Sequence, residues 1–357
     1  MLATPSLQKK KILLVDKDDK KHNDRTWCFW ENNPGFFEEI VCKKWDKLLF
    51  KSDDFTHEFD INPYQYKMIR GIDFYNYCMQ KISASNNVKF IKGDISNVNT
   101  NVNNASITVD SIEFTADYVF NSIPAPVIKQ KNKFYLLQHF KGCVIQTPNK
   151  AFNSNVATLM DFTTSQHNGT TFFYVMPLAD NTALVEYTVF SKEVLADAEY
   201  SSALKNYIEA TLLIKDYTIV ETEFGVIPMS NQNFKTNDGR VINIGAAAGK
   251  IKPSSGYAFM FIQKHCNALV QSLSVNNHPY LKNTYSKKYL YYDSVMLDVL
   301  SNNNNGSKIF SAIFRQNNIQ SILRFLDNES SLREELKLIK GLNNWQFFKA
   351  GIKQLFA

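Results

Sequence analysis

Short apolar runs separated by polar turns dominate the chain as far as Met229, and beyond Asn276 the apolar positions recur at helical spacing. KILLVD (11–16) is apolar on both faces and too short for a helix, which predicts a buried parallel strand ending in Asp16. GIDFYNYCMQKISA (71–84) has the period of a helix, and VKFIKGDI (88–95) reads as another strand. Alternation in SITVDSIEFTADYVFNS (106–122) predicts a hairpin, then a strand that closes before Pro124. FYLLQHFKGCVIQT, ATLMDFT, TTFFYVMPL and TALVEYTVF are β-branched or aromatic runs divided by Asn, Gly, Pro and Asp. Four such runs predict an antiparallel sheet, and a helix near 193–214 interrupts the pattern. The stretch 239–273 reads as a strand, a small-residue loop and a long helix; the remainder is helical apart from the Asn-rich loop 302–305.

This order predicts a mixed α/β fold with three parts. A discontinuous Rossmann-type domain covers 1–125 and 236–275, an inserted antiparallel sheet for substrate covers 126–235, and a helical C-terminal region covers 276–357. Composition agrees with a folded protein, at 44% hydrophobic and 21% charged. The 27 Phe and 17 Tyr suit an aromatic core and are compatible with a large apolar site. A net charge of +6 is spread thinly: Lys9-Lys10-Lys11 is short and the lysines of 17–21 are interrupted by acids, so nucleic acid is not an expected partner. Contact with anionic lipid is compatible with the same charge. Cys28, Cys42, Cys78, Cys143 and Cys266 lie far apart without metal-ligand spacing, so neither a zinc site nor a disulfide framework is expected. With no apolar run of spanning length and no signal-like N-terminus, the expected location is cytoplasmic, with peripheral attachment to a membrane permitted.

Asp16 stands where the acid of a dinucleotide-binding unit meets the ribose hydroxyls; it is equally a polar residue leaving a strand. The strand–GxGxxG–helix that should precede it is absent, since only MLATPSLQKK comes before the run and no GxGxxG occurs in the sequence. Losing a central strand leaves its neighbours with unpaired backbone groups at about 1–3 kcal/mol each, against domain stabilities of about 5–15 kcal/mol. Either another segment fills the slot or the N-terminal portion is missing. The second is expected, with SLQKK as the tail of a helix and an in-frame strand–GxGxxG–helix upstream of Met1. NDRTWCFW (23–30) gathers two indoles, a phenylalanine and a guanidinium, enough to line a pocket for an extended apolar ligand or to pack as a loop with Arg25 in an ion pair. GAAAG (245–249) and KPSSGY (252–257) let the backbone approach a ligand at a helix start, or simply make a tight turn.

NDRTWCFW, QYKMIRGIDFYNY (65–77), LLQHFKGCVIQT (136–147), the long segment 157–191 with LVEYT, FGVIPM (224–229), NIGAAAGKIKPSSGYAFMFIQ (243–263) and YYDSVMLDVL (291–300) occur in one order. In that order they resemble the bacterial lycopene β-cyclases. The resemblance implies an FAD-dependent isomerase, or intramolecular lyase, that forms β-ionone rings at the ends of lycopene to give γ- and β-carotene without net redox change. It implies FAD in reduced form, with NAD(P)H as candidate electron donor. It places Glu186 of LVEYT as the acid–base residue, where position alone favours an exposed or paired surface glutamate. Cofactor contacts fall on Asp16, Gly245, Ala246, Gly249, Pro253 and Gly256, and the substrate pocket on Arg25, Trp27, Trp30 and Tyr257. Arg70 and Asp161 are weaker candidates, and no metal is expected. The implied partners are lycopene, other acyclic carotenoids and a membrane lipid surface, which puts the protein peripherally on the inner membrane. Two departures stand out: Tyr187 replaces a second acid found in many relatives, and Ala246 replaces an acid common in related flavoproteins. The competing readings are an FAD-dependent monooxygenase or oxidoreductase of related fold, and an inactive remnant unable to hold FAD.

Overall fold

The computed structural model describes residues 1–124, 133–281, 286–302, 306–342 and 345–355. The boundary expected at 125/126 falls on residue 125, outside them, as do residues 303–305 of the Asn-rich loop. The N-terminal part runs β1 (Ile12–Asp16), β2 (Thr26–Glu31), β3 (Lys43–Trp45), β4 (Lys47–Ser52), β5 (Phe55–Asp60), β6 (Gln65–Arg70), α1 (Gly71–Ser83) and β7 (Val88–Lys92). Next come β8 (Ile95–Thr100), β9 (Ala105–Val109), β10 (Ile112–Ala116) and β11 (Val119–Asn121). The middle holds β12 (Tyr135–Gln146), β13 (Val156–Asp161), β14 (Thr170–Ala179), β15 (Thr182–Ser191), α2 (Asp197–Asn206) and β16 (Thr218–Ser230). After β17 (Asn237–Asp238) and β18 (Val241–Asn243) come α3 (Phe259–Asn276), α4 (Lys287–Asn302), α5 (Gly306–Gln316), α6 (Ile319–Leu326), α7 (Leu332–Gly341) and α8 (Trp345–Leu355).

β1 pairs in parallel with β7, and β11 pairs in parallel with β18, as a nucleotide-type unit requires. Among the described residues the two pairs belong to separate sheets, and β1 bonds along one edge alone. That explains a departure from the buried strand expected here: β1 is half-buried, with Leu14 40% exposed. Before it, Leu7 is buried and Ser6 meets Ser274 of α3 at 2.6 Å, so the first residues dock on that helix. The expected hairpin is β9–β10.

The largest sheet has the order β16-β12-β15-β14-β13-β4-β5, antiparallel throughout except for β13 beside β4. It therefore recruits residues 47–60, far upstream of the 126–235 segment read as the sheet. The recruitment follows from burial: Leu48, Phe50 and Ser52 alternate inward along β4, and Phe50 stacks on Phe314 of α5 at 4.3 Å. Strand alternation divides the sheet into two apolar faces. Phe173, Val175, Val185, Tyr187 and Val189 face α2, where Tyr200, Leu204 and Tyr207 close one core. Phe172, Tyr174, Met176, Leu184 and Phe190 point the other way, into a larger core shared with β2, β6 and the C-terminal helices. The second face is the one that carries the site.

Candidate active site

Tyr174, Glu186, Gly142 and Glu223 form one row across four adjacent strands: Tyr174 pairs with Glu186, Glu186 with Gly142, and Gly142 with Glu223. Residues in such a row share a face of the sheet. A Cβ on Gly142 would lie 3.0 Å from Cγ of Glu223 and 3.2 Å from its Oε1, so the Glu223 side chain occupies the space that any other residue at 142 would fill. Thr188 Oγ1 donates to Glu186 Oε1 at 2.6 Å, and Thr26 Oγ1 donates to Glu223 Oε2 at 2.7 Å. Glu186 is buried, and burial, reinforced by the negative charge of Glu223, pushes its carboxyl up to about 8. Burial also raises Glu223. Reading the sequence singled out Glu186 and missed Glu223. It also looked for a second acid at 187, but successive strand residues face opposite ways. Tyr187 packs against Phe173 at 4.9 Å on the α2 face, where an acid could not meet Glu186.

β2 lies over this row. Its even residues point at the sheet: Thr26 reaches Glu223, Cys28 meets Met176 at 3.2 Å, and Trp30 meets Tyr257 edge-on with centroids 4.8 Å apart. Burial, then the charges of Glu223 and Glu186, raise the Cys28 thiol. Burial raises the Tyr257 phenol, and Glu186 is among the groups that add to it. NDRTWCFW, LVEYT and KPSSGY thus converge on one place. The odd residues of β2 turn away: Trp27 and Phe29 pack on Phe259 at 5.3 and 4.6 Å. Of the expected pocket residues, Tyr257 lies near Glu186 with Trp30 packed edge-on against it, while Trp27 lies on the far face of β2. Arg25 is half-exposed and paired with Asp24 at 2.6 Å. Arg70 pairs with Asp73 at 2.7 Å at the start of α1. Asp161 is fully buried on the α2 side, accepting from Tyr207 at 2.6 Å and Thr163 at 2.5 Å.

The segment 245–257 makes a short 3₁₀ turn (Gly245–Ala248) holding Ala246, closes on Gly249, then loops through buried Pro253 to Tyr257. It is anchored by Lys252, which pairs with Asp293 at 2.9 Å and donates to Asn328 at 2.7 Å. Gly256 has φ +72° and presses on Gln138, whose Oε1 would lie 1.9 Å from an added Cβ. Gly245 differs: it is buried with φ +57°, yet no atom lies within 4 Å of where its Cβ would stand. Buried Ser255 Oγ and His265 Nδ1 have no hydrogen-bond partner among the described residues. The open backbone position at Gly245 and the unpartnered polar atoms of Ser255 and His265 are features that the ring and ribityl side of a flavin would fit. The phosphate side fits less well. Asp16 is on a different sheet from β18, with its carboxylate engaged by Asp18 N at 2.9 Å and Lys20 at 3.2 Å, and the sequence holds no GxGxxG turn.

Between the sheet and the C-terminal helices lies a cavity of about 440 Å³, walled by apolar side chains including Met160, Phe190, Phe310, Phe325 and Phe348. Phe190 is on the same face of β15 as Glu186, four residues along, or roughly 14 Å.

The architecture matches that of flavoproteins. It superposes on a geranylgeranyl bacteriochlorophyll reductase-like protein from Thermoplasma acidophilum with a TM-score of 0.62 at 12% identity, over 96% of this chain and 93% of that one. A flavoprotein/dehydrogenase from Cytophaga hutchinsonii gives 0.61 at 11% identity, over 98% and 95%. CtdE, solved in complex with FAD, gives 0.56 at 10% identity, over 94% and 93%. These likenesses define the mixed α/β fold of FAD-dependent flavoproteins. Comparison with curated proteins gives no significant match. The family model described as lycopene cyclase protein matches residues 2–349, and the chain belongs to that family.

Proposed function

We propose that the protein closes β-ionone rings at the ends of lycopene and other acyclic carotenoids, giving γ- and β-carotene. The observation that carries the reading is Glu186, a buried carboxyl that keeps its proton at neutral pH on a face shared with an apolar cavity, in a member of the lycopene cyclase family. Ring closure needs a proton on the terminal trisubstituted double bond. That double bond's electron pair forms the new C–H bond, the next double bond closes the ring, and loss of a ring proton restores a double bond. One proton enters and one leaves, so nothing is oxidised or reduced. Glu186 donates the first proton and its carboxylate takes the second. Tyr174 beside it in the row and Tyr257 near it supply aromatic rings that favour a passing cation.

FAD is the proposed cofactor; the 245–257 loop would hold its ring and ribityl chain, and NAD(P)H is the proposed electron donor. When bound in reduced form it supplies fixed negative charge beside the developing cation. Two of the fold neighbours are by name a reductase-like protein and a dehydrogenase, which keeps an alternative open: a monooxygenase would consume NAD(P)H and O2 and give an oxygenated pigment, while a dehydrogenase would pass two electrons from the substrate to the flavin and give a desaturated one. Expression in lycopene-accumulating cells, both as the 357-residue chain and fused behind a strand–GxGxxG–helix segment, is expected to convert lycopene to cyclic carotenes in at least one case. Unchanged lycopene in both overturns the reading, and an oxygenated pigment selects the alternative.

A carotene has to be drawn from a bilayer, and among the described residues no helix is long and apolar enough to cross one. We place peripheral contact with the inner membrane on α7 and α8. Leu332, Leu336 and Ile339, then Trp345, Phe348, Ile352 and Leu355, are exposed at helical spacing, among Lys337, Lys340, Lys349 and Lys353. Ile339, Phe348, Ile352 and Leu355 also wall the cavity, so its mouth opens on that face. Trp345→Asp with Phe348→Asp is expected to weaken co-flotation with vesicles containing anionic phospholipid at least about 10-fold. Unchanged flotation removes this surface from the proposal.

A further inference from the structure

We propose that Glu223 is the proton partner of Glu186: the two carboxyl groups meet over Gly142 and hold one proton between them. The geometry stands on its own, while its catalytic meaning rests on the cyclase reading above. Residues two strands apart are separated by about 9–10 Å at the backbone, and an intervening side chain normally keeps them apart. Here the residue between them is Gly142, the register partner of both, and the Glu223 side chain lies in the space this leaves. Each acid has one oxygen taken by a hydroxyl, from Thr188 on Glu186 and from Thr26 on Glu223. A hydrogen bond links the two carboxyl groups.

Two carboxylates in contact do not both ionise near neutrality, so one keeps a proton that neither would hold alone. The groups around the pair act in the same sense. Tyr174 comes from β14, Cys28 from β2, Tyr257 from the loop, Glu221 from β16 and Asp24 from the approach to β2, and each is an acid, neutral or anionic. Arg25 is committed to Asp24. The same contact serves both halves of ring closure. Before the reaction, the Glu223 carboxylate holds the proton on Glu186. Once Glu186 has given that proton to the alkene, two adjacent carboxylates repel, which makes Glu186 a stronger base for the ring proton. The pair then returns to one shared proton. Glu223 acts through Glu186 and is a positioning residue.

Infrared spectra of the purified full chain, recorded as pH rises, test this without reference to catalysis. The carbonyl band of protonated carboxyls is expected at neutral pH; Glu186→Gln should remove the component that titrates at about 8 and leave that of Asp327, which titrates at about 7. In Glu223→Gln, whose amide oxygen still accepts from Thr26, the Glu186 component is expected to titrate about one pH unit lower or more. Gly142→Ala, with both acids present, is expected to move it the same way. A titration unmoved by Glu223→Gln overturns the proposal. With carotene turnover as readout, Glu223→Gln is expected to lower the rate at least about 10-fold at unchanged KM and to shift the alkaline limb downward by the same interval. Full turnover and an unshifted limb in Glu223→Gln, beside an inactive Glu186→Gln, overturn the pairing and leave the cyclase reading intact. A shifted infrared titration in a chain that forms no rings does the reverse.

Discussion

Replacing Glu186 by glutamine is expected to abolish ring formation, with a loss of about 100-fold to 10,000-fold in turnover and no loss of the fold. Glutamine has the volume of glutamate, its carbonyl oxygen can still accept from Thr188, and its amide can donate toward Glu223, so the row across the sheet keeps its hydrogen bonds. What the variant lacks is a proton acidic enough to transfer to carbon. Removing a titrating group from a buried site also relieves the tension between two acids, so the melting temperature is expected to stay level or rise. Pigment extraction from lycopene-accumulating cells measures the first effect, and a thermal melt measures the second. Cyclic carotenes formed at the unsubstituted rate would take Glu186 out of its assigned role. A collapsed melt would mean that the glutamate is structural, as an exposed or paired strand acid would not be.

Much of the scaffold was legible because it depends on local pattern. KILLVD and VKFIK became a parallel pair, 71–84 became α1, and the four apolar runs became β12 to β15. The family, too, was carried by contiguous strings, all of which lie within the matched span 2–349. What the sequence could not show was register. The recruitment of β4 and β5 depends on which edge β13 offers, a contact between residues more than 90 positions apart, as Phe50 beside Met160 shows. Trp27 and Trp30 looked like one aromatic cluster until NDRTWCFW proved to be mostly strand, whose alternation sends them to opposite faces. Glu223 was hidden for a similar reason, since β16 begins at Thr218, upstream of the FGVIPM string. One signal was available: Gly142 sits inside the apolar run FKGCV, and a glycine within a strand marks a close approach. Without knowing both neighbours of β12, that approach could not be assigned to two glutamates.

Stability is expected to fall as pH rises from 6.5 to 8, and Glu186→Gln is expected to flatten that fall. The sign follows from which state binds more protons. Glu186 titrates near 4.5 when unfolded and at about 8 when folded, so between those values the native state holds a proton that the unfolded chain has released. Raising the pH therefore favours unfolding across that window, at about 1.4 kcal/mol per pH unit, or about 2 kcal/mol from 6.5 to 8. Burial takes Asp327 to about 7, which adds in the same direction. His265 opposes them at lower pH. Burial depresses its imidazole from 6.5 to about 4, so over that interval the unfolded chain binds the extra proton and stability rises with pH. Inside the window from 6.5 to 8 the half-buried amino terminus, lowered from 8.0, also opposes the acids, but equally in both proteins, so the difference between the unsubstituted chain and Glu186→Gln isolates Glu186. Thermal melts at constant ionic strength are expected to drop by several degrees between pH 6.5 and 8 in the unsubstituted chain. Glu186→Gln should keep the part of the drop due to Asp327 and lose the larger part. Equal slopes in both proteins would mean that Glu186 is ionised in the folded state at neutral pH, and would remove the acid on which the proposed chemistry depends.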